Sequence, residues 1–307
     1  MCALSISVVI PVFDDETRLS ACLDAVSRQT YPPDLIQVIV VDNGSPRPLD
    51  EVAHQFPDVH FLSEPAPGSY AARNAGLTRA TGDVIAFTDS DCLPDPEWLS
   101  RVATTMSATP EVGLLAGRVD VFPRTAAGAS VAELYDIARG FPQRAYVEIG
   151  FGVTANLSVR RGVVDTVGSF RADLRSGGDR EWCLRAVSHG HRIRYADDVI
   201  VRHPARETWA QHWTKAVRTT EAMPDLTSRA LGVSGRALLR GYLRPPVRAV
   251  GVARRVVAAG RSDHLARLVL AQWLGYLMLC AARTLIWFRT RAPDRRRGHD
   301  GGPSQPA

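Results

Sequence analysis

Through the first half of the chain, short runs of β-branched and aliphatic residues alternate with stretches of helical pattern. No other feature limits the fold as much. Ser5–Phe13, Gln37–Val41, Val59–Leu62 and Asp83–Thr88 read as strands. Between them, Leu19, Leu23 and Val26 share one helical face, Leu49–Phe56 forms a short helix and Ser69–Ala80 an alanine-rich one; Glu97–Ala108 follows the fourth strand. Strands that are apolar throughout are buried on both faces, and strands separated by helices pair in parallel. The expectation is therefore an α/β fold built on a mostly parallel sheet flanked by helices.

Further along, the pattern loosens. Val112–Phe122 reads as a strand with a glycine kink, Val131–Arg139 as a short helix and Phe151–Val159 as a strand or loop-strand. Gly177-Gly178-Asp179 opens a helix through Val187, and Arg192–Val201 is a late strand that runs into Arg202-His203-Pro204. A chain of 307 residues holds one large α/β domain with an appendage, or two modest domains.

In open parallel sheets, ligands bind beyond the carboxyl ends of the strands. The unusual polar residues fall there: Pro11-Val12-Phe13 after the first strand, Asp42-Asn43-Gly44-Ser45 after the second and Asp89-Ser90-Asp91 after the fourth. On an extended backbone, residues two apart point the same way, so Asp89 and Asp91 would face each other and repel unless a cation or donors lie between them. Taken singly, these segments also suit ordinary turns, since Asp, Asn and Ser bond to nearby backbone. Three such ends on one rim favour a site.

Four segments in this order, "VVIPVFDDETRLSACLDAVSRQTYP", "VIVVDNGS", "GSYAARNAGLTRATGDVIAFTDSDCLPDPEWL" and "GGDREWCLRAVSHGHRIRYADDVIVRH", resemble family 2 of the nucleotide-sugar glycosyltransferases over about residues 5–205. The resemblance implies the GT-A fold, a Rossmann-like sheet, and a metal-dependent, inverting transfer of sugar to an acceptor hydroxyl. It places Pro11, Val12 and Asp42 in the nucleotide pocket, with Asp42 accepting from a pyrimidine edge and thus pointing to a UDP-sugar. Arg73 would support the nucleotide and its diphosphate, and Asp89 would face the ribose. Asp91 and His203 would hold Mg²⁺ or Mn²⁺, a role for which one or two carboxylates beside substrate phosphates are usual. Asp179 would be the catalytic base. Many members carry Glu-Asp there, where this chain has Gly178-Asp179, and that departure leaves Glu181 as a rival base. The plainer reading of Asp179 is a helix N-cap, and that of His203 a turn residue before Pro204. Two other functions stay open: a nucleotidyltransferase, although Phe13-Asp14-Asp15-Glu16 lacks the glycine-rich basic loop usual in that class, and a non-catalytic nucleotide-sugar or membrane-binding module.

Charge divides the chain. Residues 1–200 carry 18 Lys+Arg against 26 Asp+Glu, net −8, and residues 201–307 carry 19 against 6, net +13. An acidic body with a basic tail is no nucleic-acid-binding pattern; it fits a tail that meets an anionic membrane surface. Arg236, Arg240, Arg244 and Arg248 recur at helical spacing among leucines, interrupted by Pro245-Pro246. Leu268–Ala282 is apolar but short of the roughly 20 residues a span requires, so it reads as peripheral or half-inserted. The expected organisation is a GT-A domain over 1–208, a helical region over 209–290 and a disordered tail over 291–307. Five scattered cysteines (Cys2, Cys22, Cys92, Cys183, Cys280) offer no C-x-x-C site and suit a reducing compartment. No basic residue precedes the first apolar run, which Pro11 interrupts, so it reads as a strand and not as a signal peptide. The expected location is cytoplasmic, at the inner face of the cell membrane.

Overall fold

The structure, a computed structural model, describes residues 3–124, 129–222 and 265–291. Eight strands form one sheet in the order β3-β2-β1-β4-β7-β6-β8-β5. The strands are β1 (Ile6–Val12), β2 (Ile36–Asp42), β3 (His60–Ser63), β4 (Val84–Phe87), β5 (Leu93–Pro94), β6 (Val112–Phe122), β7 (Leu157–Arg160) and β8 (Arg192–Pro204). The half built from β1 to β4 is wholly parallel, with Ile6 opposite Ile36 and Val12 opposite Asp42. The other half is mixed: β7 runs antiparallel to β4 and β6, β8 parallel to β6, and β5 antiparallel to β8. A register shift between Gly117 and Arg118 of β6 matches the predicted glycine kink.

Both faces of the parallel half are covered, and every residue of β1 is buried. Ile6, Val8 and Ile10 pack against Leu19, Cys22 and Leu23 of α1 (Glu16–Ser27) and against Trp98 and Leu99 of α4 (Trp98–Ala108). Val9, Ile39 and Ile85 face the other layer, with Ala72 of α3 (Ser69–Arg79), α7 (Arg161–Val167) and Trp182 of α8 (Gly178–Ser188). Trp98 and Trp182 are wholly buried and donate their indole N–H groups to Asn156 Oδ1 (2.9 Å) and the Gly168 carbonyl (2.8 Å), so both are packing residues.

The remaining α-helices among the described residues are α2 (Asp50–Gln55), α5 (Val131–Arg139), α6 (Gln143–Glu148), α9 (Trp209–Ala222) and α10 (Leu265–Arg291). Ser130 and Glu133 close a capping box at the start of α5. Helix α10, which contains the apolar run Leu268–Ala282, packs on both α5 and α9. The described part of region 209–290 is thus a layer attached to the sheet domain. The stripe at Arg236–Arg248 and the tail after Arg291 lie outside the described residues.

Candidate active site

The rim begins with a proline. Val9 accepts the Thr88 N–H (3.4 Å) on the β4 side of β1, and Pro11, two residues on, presents its backbone nitrogen to the same side. Having no N–H to offer, Pro11 ends the β1–β4 ladder, and the chain after Thr88 leaves the sheet there. On the other side, the Val12 carbonyl accepts the Asn43 N–H (2.9 Å), which holds the ends of β1 and β2 together. Asp42 Oδ1 accepts both the N–H (3.0 Å) and the hydroxyl (2.6 Å) of Ser45, three residues on, which is one residue beyond the bond of an Asx turn. Its second oxygen takes part in neither bond. Asn43 fixes the next loop: Oδ1 accepts the Gly68 N–H (2.6 Å), and the amide donates to the carbonyls of Glu64 (3.0 Å) and Ala66 (2.7 Å). That loop launches α3, which carries Tyr70 and Arg73.

The expectation that Asp89 and Asp91 stand side by side on an extended backbone is corrected. Strand β4 stops at Phe87, and the Cys92 N–H turns back to the Asp89 carbonyl (3.0 Å). Each carboxylate therefore acquires its own cation. Arg73, 4% exposed, pairs with Asp89 Oδ1 at 2.5 Å and leaves its own Nε buried without a partner. Asp91 lies 3.7 Å from His203 Nε2 through Oδ1 and 3.9 Å from Arg18 Nη1 through Oδ2. Burial pushes the Asp91 carboxyl up, and the charges of His203 and Arg18 pull against that push.

His203 is buried at the end of β8. Its Nδ1 is 2.7 Å from the Pro204 carbonyl, which can only accept, so Nδ1 carries a hydrogen and Nε2 is the nitrogen that faces Asp91. Ligand atoms of Asp89, Asp91, Cys92 and His203 all fall within 4.8 Å of one another. Burial and the two carboxylates push the Cys92 thiol well up, so it stays protonated, and a hard cation would be left to the carboxylates and the imidazole. The donor set fits Mg²⁺ or Mn²⁺. A cavity of about 160 Å³ adjoins Asp91 and His203, with Arg18, Arg124 and Arg206 on its walls. A wider one of about 440 Å³ runs along the end of β6 to Phe141, whose ring packs 5.0 Å from that of His203.

Asp179 is not the N-cap of α8. Gly177 holds that position, in the left-handed region at φ 77°, and the helix begins at Gly178. The Asp179 side chain accepts the Arg180 N–H (2.9 Å) and lies 3.4 Å from the Tyr70 hydroxyl. Burial raises its pKa, against the lowering effect of the Arg180 N–H and the Arg73 charge. Glu181 is held by Arg185 through both oxygens, at 3.0 and 3.2 Å, and Arg185 is anchored in turn on the carbonyls of Val167 and Ser169.

Arg18, Asn43 and Tyr70 escape a reading of the sequence. Arg18 stands in an ordinary amphipathic helix, and Asn43 looks like turn filler. Only the adjacency of Tyr70 to Arg73 in "SYAARN" hints at its place.

Carboxylates on the strand ends, a buried arginine behind one of them and an imidazole behind the other define a nucleotide-sugar glycosyltransferase of the GT-A architecture. The chain belongs to glycosyl transferase family 2, whose family model matches residues 7–171. Glycosyltransferase AglE of Haloferax volcanii is 39% identical over 208 residues, covering 66% of this chain and 67% of that protein. The pre-mycofactocin glycosyltransferase of Mycobacterium tuberculosis is 29% identical over 311 residues, covering 90% of this chain and 64% of the relative. The chain thus spans about two thirds of the length of these curated relatives. Among solved structures, the mannosyltransferase PcManGT of Pyrobaculum calidifontis, in complex with GDP-Man and Mn²⁺, superposes with a TM-score of 0.63 at 18% identity, over 95% of this chain and 89% of that one, and shows the shared fold.

Proposed function

We propose that this glycosyltransferase binds its nucleotide-sugar across the ends of β1, β2 and β4 and transfers the sugar, with inversion, to an acceptor hydroxyl presented near Asp179. The observation that carries the reading is the gathering of Asp89, Asp91 and His203 at the strand ends, with Arg73 joining that cluster to the surroundings of Asp179. Pro11 and Val12 form the floor of the nucleotide pocket, and the free oxygen of Asp42 accepts the ring N–H of a uracil. Asp89, oriented by Arg73, faces the ribose. Asp91 and His203 hold Mg²⁺ or Mn²⁺, which when bound neutralises charge on the departing diphosphate.

Asp179 accepts the proton of the acceptor hydroxyl while that oxygen bonds to the anomeric carbon. The bond from the same carbon to the diphosphate oxygen breaks, and its electron pair leaves with the nucleoside diphosphate. Burial makes the ionised Asp179 a stronger base than an exposed aspartate. The engagement of Glu181 with Arg185 supports Asp179 over Glu181.

The reading places the enzyme in the cytoplasm, at the inner face of the membrane. Helix α10 packs one face on α5 and α9 and exposes Leu270, Trp273, Leu274 and Leu277 on another, with Arg267 and Arg283 also exposed. An apolar stripe beside arginines suits a helix lying in the headgroup region of anionic lipid. Packing against the polar helix α9 supports a peripheral placement over a span, although residues 266–286 have the length and hydropathy for one.

Calorimetry with UDP or GDP, with and without Mn²⁺, tests the nucleotide site. The expected outcome is metal-dependent binding, stronger for UDP, that Asp91→Asn abolishes without lowering the melting temperature. Unchanged metal-dependent affinity in that variant would remove Asp91 from the metal site.

A further inference from the structure

Tyr70 sits between the two halves of the site and has no role in the mechanism above. Its side chain is fixed from several directions. The ring stacks on Phe170 with centroids 5.9 Å apart, and the Arg73 guanidinium lies 5.7 Å from its centroid. On the side facing α8 it meets Gly178: a Cβ there would come within 2.6 Å of Tyr70 Cε2 and 2.7 Å of Cζ. Real Cβ atoms do not approach that closely, so the phenol ring occupies the volume a side chain at 178 would need. Tyrosine at 70 and glycine at 178 are one fitted unit.

The hydroxyl is equally committed. It accepts the Gly178 N–H at 2.9 Å, which leaves its own proton for a second partner, and Asp179 Oδ1 lies 3.4 Å away. Burial, followed by the charge of Asp179, pushes the phenol up to about 12, so it remains a donor across the working range of an enzyme. From the metal side to the base there is then one continuous chain: Asp89 paired with Arg73, Arg73 against the Tyr70 ring, and the Tyr70 hydroxyl on Asp179.

We propose that Tyr70 is the positioning residue of the base: its hydroxyl, anchored by the Gly178 N–H, orients Asp179 toward the acceptor and ties that orientation to the Arg73–Asp89 pair. The proposal rests on Asp179 being the base. Tyr70 acts through Asp179 and touches neither donor nor acceptor.

The test is Tyr70→Phe in the full chain, which keeps the ring and removes the hydroxyl. Carboxyl ¹³C NMR follows the titration of Asp179, its resonance assigned by its loss in Asp179→Asn. A carboxylate deprived of a donor is less stabilised in its charged form, so its midpoint should move up by about 0.4 to 1.1 pH units, the equivalent of one net hydrogen bond. Hydrolysis of UDP-glucose or GDP-mannose in Mn²⁺ should slow by about 2- to 12-fold, with the affinity for the nucleoside diphosphates unchanged. Gly178→Ala is the second variant: it keeps the hydroxyl but displaces the ring, and it should raise the same midpoint. A midpoint unmoved in both variants, with Asp179→Asn inactive, overturns this proposal alone. Full turnover in Asp179→Asn overturns the base assignment and this proposal with it.

Discussion

Asp136 on α5 and Asp179 on α8 are both largely enclosed carboxylates on helices, yet their surroundings drive them in opposite directions. Around Asp136 both carboxylate oxygens are bonded. Arg206 grips it through the backbone N–H (3.0 Å) and the guanidinium (3.0 and 3.3 Å), and Lys215 and His212 add positive charge. Burial pushes that carboxyl up, but these cations outweigh it and the net shift is downward. At Asp179 burial is opposed only by the Arg180 N–H, the Arg73 charge and, last, the Thr154 N–H, while the Asp89 charge adds to the push, so burial wins and its pKa rises. A saturated carboxylate is scaffolding, while an under-partnered one retains basicity for an incoming proton.

The comparison breaks first at turnover. Asp179→Asn should lower sugar transfer by about 10²- to 10⁴-fold, the usual worth of a general base, while Asp136→Asn should leave kcat per folded molecule near normal. Equal losses in the two variants would erase the distinction.

Stability should show the reverse order. Because the Asp136 pKa is depressed on folding, its contribution is complete above the unfolded value of about 3.9 and disappears as pH falls through the folded one. Asp136→Asn should therefore cost about 2 to 4 kcal/mol at pH 7, since Arg206 is left without its partner, and progressively less as pH falls below the unfolded value. Asp179 has a raised pKa, so its ionised form opposes folding above about pH 4. Asp179→Asn should melt at the same temperature as the parent or higher. Denaturation followed across pH decides both signs.

The smallest effect concerns the layer that Asp136 helps to hold. Gly275 of α10 lies so close to Tyr135 of α5 that a Cβ would collide with the ring, which seats the helix and turns Leu274 and Leu277 outward. Leu274→Ser with Leu277→Ser should change stability by no more than about 0.5 kcal/mol per site, as exposed positions do. Partition onto anionic liposomes should weaken about tenfold, read by co-sedimentation. Undiminished binding would take the apolar stripe out of the membrane contact.

The sequence made the parallel half legible because its strands are buried on both faces, and continuous apolar runs bounded by Asp-Asn-Gly-Ser or Asp-Ser-Asp admit few other readings. The antiparallel insertion of β7 and the two-residue β5 escaped it, because both depend on partners far along the chain. At the site, Asp89, Asp91 and His203 could be singled out by residue type and position. Their division between different cations could not, because it follows from a tertiary turn after Phe87. Asp179 was singled out by resemblance alone, and the cap beside it belongs to Gly177, whose positive φ leaves no trace in composition. Tyr70 was hidden for another reason: an aromatic residue in a helix ordinarily reads as core.

Strand β5 has only two rungs, Leu93 opposite Arg202 and Pro94 opposite Val201, yet it joins the segment just after Asp91 to the one that carries His203. Seen in the order of synthesis, Asp89 and Arg73 both lie within the first hundred residues, whereas Asp91 meets its imidazole only after the chain has been made past Pro204. Closing so long a loop is entropically slow relative to local pairing. If Asp91 and His203 hold the cation as proposed, the cation site is assembled from residues more than a hundred positions apart and is complete only once β5 and β8 have paired.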